Sequence, residues 1–261
     1  MVGRRFCRDE EEACSGIIAF AGKGGVGKST ISSQLIRELS KKDIVLAVDA
    51  DPNSNLGEKL GIETYGTIGR IRNELVADPD QVPPSVSKQD YILNKVMQAV
   101  SEDDRIDLLV MGRPEGEGCY CFVNDILRNC FSDMIPRYKF TVVDNEAGME
   151  HLSRKVLPKA DVFVFVSDPT MTGVRTAARL SDLADEIGMK VDRRILVINN
   201  LISGDPTVLI QEAERLGLKE VLVINHDSAV TDCAMKGEKI EVPADSAFAK
   251  SVAQLSEIIL K

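Results

Sequence analysis

The sequence predicts an α/β protein with a doubly wound, mostly parallel sheet flanked by helices, and three observations carry that prediction. An apolar run, Ile17 to Phe20, passes through a glycine-rich turn directly into a helical pattern, Ile31 to Leu39. Six further apolar runs follow and alternate with helical stretches, an order that favours a parallel sheet over hairpins. The polar motifs named below all come just after an apolar run, at the strand ends where such sheets bind ligands.

The elements follow in order. The second run, Ile44 to Val48, is short and fully apolar, as a strand buried on both faces must be, and ends in Asp49-Ala50-Asp51-Pro52-Asn53. Residues 66 to 100 are polar with helical stretches on either side of Pro83-Pro84, which reads as a helical insertion. A third strand is expected over Ile106 to Met111, followed by Gly116-Glu117-Gly118-Cys119-Tyr120-Cys121. A fourth, Phe140 to Val143, leads into Asp144-Asn145-Glu146-Ala147-Gly148. The fifth spans Val162 to Val166 and precedes the helical stretch Thr172 to Ile187; the sixth, Ile195 to Ile198, ends in Asn199-Asn200. The seventh is Val221 to Ile224. In the last segment, Ser246 to Lys261, residues Phe248, Val252, Leu255, Ile258 and Ile259 form one apolar stripe. Its polar face is not basic, so the stripe is expected to pack on the core rather than on a membrane. Residues 16–261 are expected to form a single domain, and the charged residues 1–15 a flexible extension.

Composition narrows the function. The formal net charge is −9 over 261 residues, which disfavours DNA and anionic lipid as partners. No apolar run approaches the roughly 18 residues of a membrane span, and Met1 to Ser15 lacks the apolar stretch of a secretory signal. A cytoplasmic location is therefore expected. In that setting the six cysteines, Cys7, Cys14, Cys119, Cys121, Cys130 and Cys233, read as free thiols or metal ligands rather than disulfides. Neither His151 nor His226 has a partner identifiable from sequence.

The turn after the first run fits the phosphate-binding pattern G-x-x-x-x-G-K-[ST] from Gly22 to Ser29. Backbone N–H groups of Gly22, Lys23, Gly24, Gly25, Val26 and Gly27, continuing through Lys28, Ser29 and Thr30, would surround phosphate oxygens at a helix N-terminus. Lys28 would reach the β- and γ-phosphates, and the Ser29 hydroxyl would ligate magnesium. The Cys119/Cys121 pair places two soft thiolates on one short segment. Zinc and iron–sulfur centres take four such ligands, so a C-x-C supplies half a site, and two copies across a two-fold axis would supply all of it. Two reduced thiols with no metal remain the alternative.

The second lysine of the loop, Lys23, is dispensable for holding phosphate within one chain. It resembles the signature lysine of the deviant phosphate-loop ATPases, the family of MinD, ParA, ArsA and the nitrogenase iron protein. The resemblance runs from about Ile17 onward. It implies a deviant Walker A loop, a nucleotide-linked homodimer in which Lys23 crosses to the partner's nucleotide, and ATP hydrolysed to ADP with magnesium. It further implies that Asp51 orients or activates the attacking water and that Asp49 sits near the magnesium. Asp144 takes the place of the water-mediated magnesium ligand, and Gly148 that of the switch glycine sensing the γ-phosphate. Asn199 would contact adenine, with Asn200 competing for that role. The family's proline-containing adenine loop is replaced here by Asn225-His226-Asp227. With G-x-C-Y-C added, the sequence resembles CooC-type ATPases, which mature nickel carbon monoxide dehydrogenase and acetyl-CoA synthase. That resemblance implies Ni2+ or Zn2+ held by Cys119 and Cys121 at the dimer interface, and an apo-enzyme of that class as partner. An iron–sulfur electron donor and a MinD/ParA-like positioning ATPase are the competing readings. The first uses cysteines widely separated in sequence, and the second does not need C-x-C.

Overall fold

The computed structural model describes residues 16–51, 55–112, 128, 129, 131–145 and 159–261. Its centre is an eight-stranded sheet of order β3-β4-β2-β5-β1-β6-β7-β8. The strands are β1 (Gly16–Gly22), β2 (Val45–Asp49), β3 (Ser101–Asp103), β4 (Ile106–Val110), β5 (Phe140–Asp144), β6 (Lys159–Ser167), β7 (Lys190–Leu201) and β8 (Glu220–Asn225). All neighbouring pairs are parallel except β3 with β4. Helices among the described residues include α1 (Lys28–Ser40), α2 (Leu56–Leu60), α3 (Ile68–Ala77), α4 (Lys88–Ala99), α5 (Met171–Glu186), α6 (Thr207–Arg215), α7 (Ser228–Lys236) and α8 (Ala247–Ile259).

The pleat sorts each strand's side chains onto two faces. Ile18, Phe20, Val45 and Ala47 meet α1, α2 and α8, whereas Ala19, Ala21, Leu46 and Val48 meet the α3–α4 insertion and α5. The chain builds β2 and β4 on one side of β1, then β6, β7 and β8 on the other. That reversal opens a crevice beyond the strand ends beside β1, where Gly22 leads into the glycine-rich turn.

The seven expected strands are all present, several of them longer than their apolar runs. The eighth strand, β3, is a three-residue antiparallel edge of Ser101, Glu102 and Asp103, whose composition carries no strand signal. The insertion is helical, with Thr67 capping α3 and Ser87 capping α4 through their hydroxyls.

The C-terminal helix docks on the core as its apolar stripe requires. Phe248, Val252 and Leu255 are buried, and α8 packs along α1. Arg193 on β7 fastens its end: the guanidinium donates to the Ile258 carbonyl at 3.0 Å and the Ile259 carbonyl at 3.3 Å, and pairs with Glu220 at 2.6 Å. These are last-turn carbonyls that the helix itself cannot satisfy. Replacing Arg193 by Ala is expected to lower stability by about 1–2 kcal/mol in urea unfolding. A midpoint unchanged from the parent would show that the clamp contributes nothing.

Candidate functional site

The site begins where β1 turns into α1. Gly27, at φ 94, forms the N-cap of α1, and neither a side-chain cap nor an acidic residue occupies the first turn. The leading N–H groups of α1 are thus left for an external acceptor, and the helix dipole favours an anion there. Lys28 is buried, and its ammonium donates to the Lys23 carbonyl at 3.2 Å, folding back over its own loop. Lys23 itself is exposed.

Groups at the neighbouring strand ends tie the turn, β1 and one another together. The Asn199 amide at the end of β7 donates to the Val26 carbonyl at 2.8 Å. Asn145, just past β5, donates through its side chain to the Phe20 carbonyl at 2.8 Å. The Ala50 N–H donates to the Asp144 carbonyl at 2.9 Å, and the Met111 N–H to the Asp49 carbonyl at 2.8 Å. Asn145 and the Asn199–Val26 contact are features that sequence reasoning missed. An asparagine just past an apolar run is the only signal either leaves.

Asp49 and Asp144 stand opposite each other in the β2–β5 register, both buried. Asp49 accepts from the Asp51 N–H at 3.0 Å and the Leu56 N–H at 2.9 Å, so it shapes the loop that carries Asp51. Burial pushes its carboxyl up to about 6, against those two N–H groups and with the Asp51 charge adding to the rise. Asp144 differs, because neither of its buried oxygens makes a well-formed hydrogen bond. Burial raises it to about 7; the Ser29 hydroxyl and Lys28 oppose the rise, while Asp49 and Asp51 reinforce it. A carboxylate left short of partners beside a serine hydroxyl and an open helix N-terminus has the chemistry of a hard-cation site. Magnesium retains waters and needs few protein ligands.

The structure thus brings together Gly22 to Thr30, Asp49, Asp51, Asp144 and Asn199 at one end of the sheet. Gly148, Cys119, Cys121, Cys7, Cys14, Cys130 and His151 lie outside the described residues. Cys233 falls on α7, with its thiol toward the Glu241 carbonyl. No helix among the described residues is long and apolar enough to cross a membrane.

This arrangement agrees with comparison to known proteins. The model of the CobQ/CobB/MinD/ParA nucleotide binding domain matches residues 17–240. The chain belongs to that family. Like other members of the CobQ/CobB/MinD/ParA family, it is a phosphate-loop ATPase. An uncharacterized ATP-binding protein of Methanocaldococcus jannaschii is 40% identical over 94% of this chain and 98% of its own length. The carbon monoxide dehydrogenase accessory protein CooC of Rhodospirillum rubrum is 34% identical over 66% of this chain and 70% of its own. Among solved structures, a ParA family ATPase from Chlorobium tepidum superposes with a TM-score of 0.70 at 21% identity, covering 94% of this chain and 99% of that one.

Proposed function

We propose that this ATPase is a homodimeric metallochaperone that carries nickel, or zinc, on Cys119 and Cys121 of two chains. Its client would be an apo-enzyme of the carbon monoxide dehydrogenase or acetyl-CoA synthase class. The observation that carries this reading is the C-x-C after β4, in a chain that also has Lys23 and a CooC relative at 34% identity. Met111, just past β4, donates its N–H to the Asp49 carbonyl at 2.8 Å, so this strand ends beside the Asp49–Asp51 loop. In this reading a thiolate pair that follows β4 in sequence would be coupled to the nucleotide state.

Within this reading the roles divide by position. Residues Gly22 to Thr30 bind the polyphosphate, and Lys28 exchanges its contact with the Lys23 carbonyl for phosphate oxygens. Lys23 reaches the partner's nucleotide across the dimer. Ser29 and Asp144 hold magnesium, Asp144 through water, and the ion supplies neutralisation of phosphate charge. Asp49 positions the loop from which Asp51 orients the attacking water. Gly148 senses the γ-phosphate, and ATP binding closes a dimer that hydrolysis reopens. Residues 16–261 act as one ATPase domain with the insertion at 66–100, and residues 1–15 as an extension outside it. The protein works in the cytoplasm without nucleic acid or membrane as partner.

The test is the metal content and mass of purified protein, with and without added nickel, for the parent and for Cys119→Ala/Cys121→Ala. About one nickel or zinc per dimer is expected from four shared thiolates, and its loss in the double variant. Iron with labile sulfide would replace this reading by an electron-donor one. No thiol-dependent metal in the parent would overturn it.

A further inference from the structure

We propose that a cavity at the far end of α1 from the phosphate turn binds a small monocarboxylate with an apolar body. Its volume is about 370 Å³, near the lower end of the roughly 300–1,000 Å³ usual for small-molecule sites. Helix α1 supplies Arg37, Glu38 and Lys41 to the wall, and the β3–β4 turn supplies Asp104 and Arg105. Arg37 lies in the last turn of α1, and Ile106, also on the wall, is the first residue of β4. The cavity therefore sits at the strand starts, whereas the nucleotide crevice lies beyond the strand ends.

The contacts around the cavity leave Arg37 without a carboxylate. Lys41 pairs with Glu38. Arg105 donates to the Lys41 carbonyl at 3.4 Å and the Lys42 carbonyl at 3.1 Å, fastening the end of α1. Asp104 is exposed to solvent. Arg37 is half-buried, and among the described residues its one hydrogen bond runs from a terminal nitrogen to the Leu60 carbonyl at 2.7 Å. Its Nε is buried with no acceptor among the described residues. Glu241 is held below the usual carboxylate range chiefly by Lys239, 2.6 Å away, and only secondarily by Arg37. A guanidinium carries five N–H donors in a rigid fork that matches a carboxylate. Most of the donors of Arg37 are therefore left for an acceptor from outside the chain.

Charge and surface define that acceptor. Three cations against two carboxylates give the wall a net charge of +1. Helix α1 presents its C-terminal end here, where the dipole opposes negative charge. The first turn of α8 also borders the cavity, but Asp227 takes the Phe248 N–H and Ser246 takes the Ala249 N–H. This balance suits a monoanion better than a phosphate dianion. Ile106, Val242 and Val252 add apolar surface beside the charges, against which a hydrocarbon body gains by leaving water.

The experiment is a chemical-shift titration of isotope-labelled protein with hydrocinnamate, its neutral amide and inorganic phosphate. The parent, Arg37→Gln and Ala249→Leu are compared, with thermal unfolding of each. Hydrocinnamate is expected to saturate one site, with shifts centred on the last turn of α1 and on Val242. The amide and phosphate are expected to bind at least about tenfold more weakly, and Arg37→Gln to lose about tenfold or more for the carboxylate. Ala249→Leu, which fills the cavity from α8 and leaves the guanidinium in place, is expected to block binding without lowering the melting temperature. Lys28 and Arg37 stand at opposite ends of α1, so a non-hydrolysable ATP analogue with magnesium is expected to leave hydrocinnamate binding unchanged. Displacement by that analogue would put the carboxylate in the nucleotide crevice and overturn the proposal. So would equal binding of the amide or phosphate, parent-like affinity in either variant, or no saturable binding by the parent.

Discussion

Asp51→Ala is expected to bind ATP with little change in affinity and to hydrolyse it at least about 100-fold more slowly, the scale on which a positioned proton acceptor acts. Asp51 lies two residues beyond the end of β2, where its N–H is fixed by Asp49 Oδ1 at 3.0 Å. Asp49 is in turn fixed by the Leu56 N–H and by register with Asp144. Its backbone is therefore held by neighbours that the substitution does not touch, and removing the carboxylate alters chemistry more than structure. Single-turnover hydrolysis beside analogue binding separates the two. Asp51→Asn, which keeps the shape and loses the base, is expected to behave like the alanine variant. Turnover at the parent rate in either would remove Asp51 from the mechanism.

Gly22→Ala is expected to cost roughly 3 kcal/mol or more of stability and to abolish nucleotide binding. A Cβ at Gly22 would lie 2.3 Å from the Val166 carbonyl oxygen and 3.2 Å from Val26 Cγ2. The first contact is with the backbone of β6, paired to β1 in register, so relief requires the central strands to part at the mouth of the site. Gly25 provides the contrast. A Cβ there meets nothing within 4 Å, and only its φ of 80 opposes substitution, so Gly25→Ala should cost about 1–2 kcal/mol. Urea unfolding of the pair gives the comparison. Equal midpoints would mean that the β1–β6 approach at Gly22 is not as tight as described.

The inner strands could be read from sequence because parallel strands covered on both faces must be apolar throughout. Val45 to Asp49 and Phe140 to Asp144 are buried at every position. The same physics hid the rest. In β7 the first residues, Lys190 to Arg194, are polar apart from Val191 and none is fully buried, so only Ile195 to Ile198 announced a strand. The edge strand β3 is three residues of polar sequence. The phosphate loop was legible because its glycines and Lys28 lie together in sequence. Asn199 touches Val26 across a separation of 173 residues, a distance over which one sequence carries no pairing information. The φ of 63 at Asn200 and its 2.8 Å contact with His226 were likewise not legible in the sequence.

The bond from Asn199 to the phosphate turn, and that from Asn145 to the strand leading into it, bear on what ATP can accomplish. A turn that had to fold around its ligand would consume much of the contact energy in ordering itself. Here that ordering is completed when the sheet forms, since the bonds to the Val26 and Phe20 carbonyls are made by the protein alone. The grip on phosphate is then left over as free energy that can differ between two arrangements of the molecule. An engine needs such a rigid seat: a soft one would absorb the stroke.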